Sequence, residues 1–200
     1  MRFLALGDSY TIGEAVSETE RWPLQLAERL KLDGLAIDST EIIATTGWTT
    51  DELRDGIAAA APAGPYDLVS LLIGVNDQYR GHPIEEYRER FRELLGTATV
   101  LAGGRPGHVL VLSIPDWGVT PFAEGRDRTR VGREIDAFNA VNRDETAMAG
   151  ACYIDVTADS RRAATEPEML ADDGLHPSGV MYGEWAELAL PVAKEALLGA

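Results

Sequence analysis

The chain has 200 residues, 45% of them hydrophobic and 26% charged, and its 33 Asp plus Glu outnumber its 18 Lys plus Arg for a formal charge of −15. That length and apolar content suffice for one buried core and exclude a disordered tail, so residues 1–200 are expected to form a single domain. A surface this acidic, without a cluster of basic residues, repels phosphates and anionic membranes, which excludes nucleic acid and lipid surfaces as expected partners.

Met1 to Leu6 breaks into Gly7-Asp8-Ser9 after too few apolar residues for a secretory segment, and no stretch approaches the roughly 20 apolar residues of a membrane span. The chain therefore reads as soluble and cytoplasmic, with no membrane insertion. From there, short apolar runs alternate with helical periodicity, the pattern of a doubly wound parallel sheet. The first strand is Arg2 to Leu6. Trp22, Leu26 and Leu30 then mark a helix, with Pro23 tolerated in its first turn. Glu41 to Ala44 is the second strand, and Thr49-Thr50-Asp51-Glu52 has the spacing of a capping box. Tyr66 to Ile73 is the third strand, followed by a helical stripe of Ile84, Tyr87, Phe91 and Leu94. His108 to Ile114 is the fourth, followed by Val131, Ile135 and Phe138. In the fifth, Ala151 to Val156, the single cysteine Cys152 reads as a small buried hydrophobe. Met181, Trp185, Leu188 and Val192 form the last stripe, within which Pro191 is expected to kink or end the helix.

In a doubly wound sheet, functional groups collect in the loops after the strands. Those loops hold Gly7-Asp8-Ser9-Tyr10, Thr45-Thr46-Gly47-Trp48, Gly74-Val75-Asn76-Asp77 and Pro115-Asp116-Trp117-Gly118, and Asp172-Asp173-Gly174-Leu175-His176 precedes the last helix. A hydroxyl, a glycine open to close approach, an amide, an indole and a carboxylate–histidine pair make a set suited to acyl transfer. A serine needs a neighbouring base to become a nucleophile, and histidine suits that role. Of the three histidines, His108 opens a strand at the far end and His82 starts a helix. His176 has Asp173 three positions earlier, so a tight turn lets the carboxylate take the Nδ1 proton while Nε2 faces the serine. Asp172 competes for that partnership at a poorer spacing. Backbone N–H groups of Ser9 and Gly47 and the Asn76 amide are candidate donors to an oxyanion. Asp8 and Asp77 read as structural carboxylates.

Gly7-Asp8-Ser9 near the start, Gly47, Gly74-Val75-Asn76-Asp77 and Asp173-Gly174-Leu175-His176 near the end together resemble the four blocks of an SGNH hydrolase of the GDSL esterase and lipase superfamily. That resemblance spans residues 2 to 185. It implies Ser9 as nucleophile, His176 as base and Asp173 as its orienting partner, with Ser9, Gly47 and Asn76 forming the oxyanion hole. It also implies a three-layer α/β/α flavodoxin-like sandwich whose five parallel strands run in the order 2-1-3-4-5. Tyr10 departs from the leucine of the family's name, which affects packing under the nucleophile or one pocket wall.

Trp117, Trp48 and Tyr10 are the candidate substrate-binding residues, and they suit an acyl chain, an aryl group or a sugar ring equally. Phe122 reads as a core or loop-anchoring aromatic. The expected substrate is a small carboxylic ester or thioester, acetylated carbohydrates included, with no cofactor and no metal. An acidic rim would favour neutral or cationic substrates. The alternative is a phosphate- or nucleotide-binding flavodoxin-like module without esterase activity, disfavoured because no Lys or Arg adjoins Gly7-Asp8-Ser9 and Asp8 would repel the ligand. A catalytically silent binding protein on the same fold is a third.

Overall fold

Runs such as Phe3-Leu4-Ala5-Leu6 and Val109-Leu110-Val111-Leu112 are wholly buried, with no polar residue at alternate positions, so both faces of their strands must be covered. The computed structural model describes residues 1–199 and shows how that is done. Strands β1 (Arg2–Gly7), β2 (Ser39–Ala44), β3 (Leu68–Leu72), β4 (Val109–Leu112) and β5 (Cys152–Ile154) form one parallel sheet in the order β2-β1-β3-β4-β5. The helices are α1 (Ser9–Ile12), α2 (Trp22–Leu32), α3 (Thr50–Ala60), α4 (Val75–Tyr79), α5 (Ile84–Leu101), α6 (Arg128–Ala149), α7 (Thr157–Ser160) and α8 (Gly179–Leu198). On one face α2 packs on α8; on the other, α3, α5 and α6 pack in series. Among the described residues no helix is long and apolar enough to cross a membrane.

Register places the site. Gly7 at the end of β1 pairs with Ala44 at the end of β2 and with Leu72 at the end of β3. Three strands therefore finish level, and the loops that follow start side by side. The direction of winding reverses between β1 and β3, which leaves a crevice there.

Trp22, Leu26 and Leu30 are fully buried, as are Tyr87 and Phe91, and Val131, Ile135 and Phe138 are buried on α6. Thr49 and Glu52 close the capping box, with the Thr49 N–H donating to Glu52 Oε2 at 2.9 Å. The last helix differs from expectation. Leu188 is 40% exposed, and the inward line runs Met181, Trp185, Ala189 and Ala193 at a constant step of four. Small alanines let α8 lie close to its neighbours, a role that a search for large apolar side chains passes over. Pro191 does not end the helix: it sits on the exposed side, and α8 continues to Leu198. Cys152 is only half-buried.

Candidate active site

The chain passes from β1 directly into α1, whose first residue is Ser9. Only glycine fits at the junction, because a Cβ on Gly7 would collide with Thr11 and with the Leu72 carbonyl of β3. Asp8 caps the turn by accepting the Tyr10 N–H at 3.0 Å; it is fully buried and its second oxygen has no partner. Burial pushes the Asp8 carboxyl up to about 8; the Tyr10 bond opposes this and the nearby Asp77 carboxylate adds to it. An unfolded carboxyl ionises near 3.8, so between that value and about 8 the folded protein keeps a proton the unfolded chain has lost. Stability therefore falls as pH rises through that window and levels off above it. Asp8→Asn, which cannot ionise, should remove this contribution: urea unfolding midpoints at about pH 5 and about pH 8 should show the variant gaining on the parent at the higher pH. A constant difference would mean that Asp8 ionises alike in both states.

Two more loops meet this edge. Gly47 stands at φ +88° in the turn after β2, and Gly74, at φ +125°, caps α4 with Asn76 two residues further on. The Asn76 amide donates to the Trp48 carbonyl at 2.9 Å, and Arg80 Nη2 donates to the Gly47 carbonyl at 2.7 Å. Asp77 accepts the Thr50 N–H at 3.0 Å and the Thr50 hydroxyl at 2.8 Å, with His82 Nδ1 3.2 Å away. Three side chains thus tie the Gly47 loop to α4. Having two protons, the Asn76 amide keeps one free for a ligand. Gly74→Ala should be severely destabilising, because its Cβ would collide with the Tyr87 hydroxyl and lie 2.8 Å from Ile114 Cδ1, at a backbone angle unfavourable to alanine. We expect a loss of about 3 kcal/mol in chemical unfolding; a loss below about 1 kcal/mol would show that Tyr87 yields easily.

His176 and Asp173 come together within one short turn. Leu170 bridges Pro177, the Ala171 N–H donates to the His176 carbonyl at 2.8 Å, and Gly174 takes φ +67°. Asp173 Oδ1 accepts the N–H groups of Leu175 at 3.0 Å and His176 at 2.9 Å, and Oδ2 lies 2.6 Å from His176 Nδ1. Burial pushes the Asp173 carboxyl upward, but the bonds from the His176 ring and the two N–H groups outweigh it and hold the group below its usual range. An ionised Asp173 can only accept, so the hydrogen-bond network assigns the proton to Nδ1 and leaves Nε2 of the neutral ring as an acceptor. Asp172 lines a different surface cavity.

Ser9, Asn76 and His176 line one cavity of about 120 Å³, together with Tyr10, Val75, Tyr79, Trp117, Phe122 and Leu175. None of these is Lys or Arg. Tyr10 packs on the His176 ring with centroids 5.4 Å apart and is buried beneath it. Gly47 and Trp48 do not line the cavity. The Trp48 ring lies on Gly56 of α3, where a Cβ would collide with it, so this tryptophan anchors a helix instead of facing the site. Phe122 also departs from its reading as a core or loop aromatic: it is 48% exposed and forms part of the cavity wall. With Tyr79 and Trp117 it makes an aromatic cluster with centroid separations of 5.4 to 6.2 Å. Tyr79 was legible from spacing, because it follows Asn76 by three residues on a helix and so shares its face. The Arg126 guanidinium stands 5.7 Å over the Tyr79 ring of this cluster. Among the described residues no group of three or more His, Cys, Asp or Glu is arranged to hold a metal ion.

Residues 5–183 match the model of the GDSL-like Lipase/Acylhydrolase family. The chain belongs to that family. A GDSL-like acylhydrolase is a carboxylic ester hydrolase, and the matched range takes in all four sequence blocks. Solved structures with the same fold include TesA, at 22% identity and a TM-score of 0.75 over 98% of this chain and 100% of that one. A psychrotrophic esterase from Pseudoalteromonas sp., in a structure inhibited by monoethylphosphonate, is 16% identical with a TM-score of 0.73 over 98% of both chains. An acetylxylan esterase from Geobacillus stearothermophilus is 18% identical with a TM-score of 0.69 over 98% of this chain and 93% of that one. No curated protein matches the GDSL-like chain by sequence.

Proposed function

We propose that the protein is a serine esterase that cleaves small carboxylic esters or thioesters through an acyl-enzyme on Ser9. The observation that carries this reading is the 2.6 Å contact between His176 Nδ1 and Asp173 Oδ2, in a ring that lines the same 120 Å³ cavity as Ser9. With Nδ1 engaged, Nε2 is the atom that receives the serine proton. Ser9 Oγ forms a bond to the ester carbonyl carbon as its proton passes to Nε2, and the imidazolium that results is stabilised by the Asp173 carboxylate. The carbonyl oxygen becomes an oxyanion, for which the Ser9 N–H and the free Asn76 amide proton in the cavity are donors, with the N–H of Gly47, on the adjoining loop that Arg80 holds, as the third. His176 returns the proton to the leaving alcohol. Water then adds to the acyl carbon by the same route, giving a proton to Nε2; the bond from that carbon to Ser9 Oγ breaks, Oγ takes the proton back from Nε2, and the acid leaves.

The acyl group fits the small cavity formed by Tyr10, Trp117, Phe122 and Tyr79, whose size favours short chains. Acetyl esters of carbohydrates fall within this class. The test is hydrolysis of p-nitrophenyl acetate in the presence of a chelator, together with labelling by a fluorophosphonate. Turnover, with the label on Ser9 by peptide mass spectrometry, is the expected result; a label on another residue, or no turnover of any short ester, would overturn the mechanism.

A further inference from the structure

Beyond the cavity that holds Ser9 lies a larger one of about 610 Å³, and the two share Tyr79 and Trp117 as a common wall. We propose that this second cavity is the alcohol-side subsite of the esterase, and that it takes an uncharged alcohol carrying several hydroxyl groups. The inference rests on the reading of Ser9 as nucleophile and adds what that reading leaves open, the identity of the leaving group.

Size is the first argument. Sites that hold a whole small molecule usually span about 300–1,000 Å³. The cavity at Ser9, about 120 Å³, accommodates one short substituent of the tetrahedral intermediate, whereas the neighbouring 610 Å³ lies within the range for the remainder. Tyr79, which lines both, is 46% exposed and so is open to a ligand that spans them.

Chemistry is the second. Two cations, Arg126 and Arg130, and two anions, Asp127 and Glu134, line the larger cavity and cancel in charge. Gln78 is locked between two of its neighbours, accepting the Trp117 indole N–H at 2.8 Å and donating to Glu134 Oε2 at 2.8 Å, while Arg130 Nε donates to Glu134 Oε1 at 2.7 Å. The Trp117 ring is thereby held at a fixed angle between the two cavities. Charged donors and acceptors beside aromatic and apolar side chains, Trp117, Ile84, Val131 and Phe138 among them, match a neutral ligand with hydroxyls at its edge and apolar faces between, since each hydroxyl both donates and accepts. An alkyl chain there would strip water from the charged side chains without replacing its hydrogen bonds. A phosphorylated alcohol would meet the carboxylates of Asp127 and Glu134.

Ala137 lines the larger cavity only and is exposed on α6, so Ala137→Trp puts an indole into that space from a position outside the Ser9 cavity and the core. Four acetyl esters separate the possibilities: vinyl acetate, glycerol monoacetate, a mono-O-acetylated methyl glycoside and its phosphorylated counterpart. The parent enzyme should favour the neutral glycoside over vinyl acetate by about tenfold or more in kcat/KM, chiefly through KM, and Ala137→Trp should abolish that preference while changing vinyl acetate turnover less than about twofold. A parent that treats all four alike, prefers the phosphorylated ester, or gains rate on vinyl esters as the acyl chain lengthens to octanoate would overturn the assignment. So would a variant that keeps the glycoside preference. Vinyl acetate turnover that survives these results leaves the serine esterase reading standing, and its absence in the parent sinks both.

Discussion

Replacing Ser9 by alanine is expected to lower kcat for p-nitrophenyl acetate by about a millionfold while the melting temperature stays within a few degrees of the parent. The side chain removed is small and sits at the first position of α1. The cap that holds that helix is Asp8, whose bond to the Tyr10 N–H does not involve the serine hydroxyl. The backbone donors of the proposed oxyanion hole also survive, so a residual rate about 10³-fold above the uncatalysed reaction should remain. A variant that keeps more than about 1% of parental activity would place the nucleophile elsewhere.

Asp173→Asn should cost about 10⁴-fold in kcat with little change in KM. The asparagine oxygen can still accept the N–H groups of Leu175 and His176, which lie 3.0 and 2.9 Å from Oδ1, so the turn keeps its shape. Its amide then faces His176 Nδ1 as a donor in place of the carboxylate now 2.6 Å away. That arrangement favours a lone pair on Nδ1 and moves the proton to Nε2, where the ring can no longer accept from a serine. Raising the pH should recover little of the loss, because the defect is in the tautomer. Loss confined to KM would point to a role in binding substrate.

The strands and the loops after them were legible because a strand buried on both faces leaves an uninterrupted apolar run, and the punctuation after it falls where a functional loop begins. Gly7-Asp8-Ser9 and Gly74-Val75-Asn76 follow such runs directly. The pairing of Asp173 with His176 was legible because it is local, three residues apart in one turn. What escaped was tertiary. Trp48 and Phe122 are both aromatics in loops near the right edge, and only the packing of one on Gly56 and the exposure of the other divide them. The inward face of α8 was misjudged at Leu188 because alanine contributes by closeness, which composition does not display. The ties from Asn76, Asp77 and Arg80 to the Gly47 loop link residues 27 to 33 positions apart and leave no periodic trace.

The turn that carries Asp173 and His176 is stapled to itself by the Leu170–Pro177 bridge and the bond from Ala171 to His176. Acid–base partners made this way form a cartridge, assembled by contacts of short sequence separation and docked onto a sheet that carries the hydroxyl. Mild heating should therefore unseat the cartridge before it dismantles it. Ester turnover should fail at a temperature below the midpoint of global unfolding, and inactivation there should reverse on cooling, since what is lost is the alignment of two intact pieces.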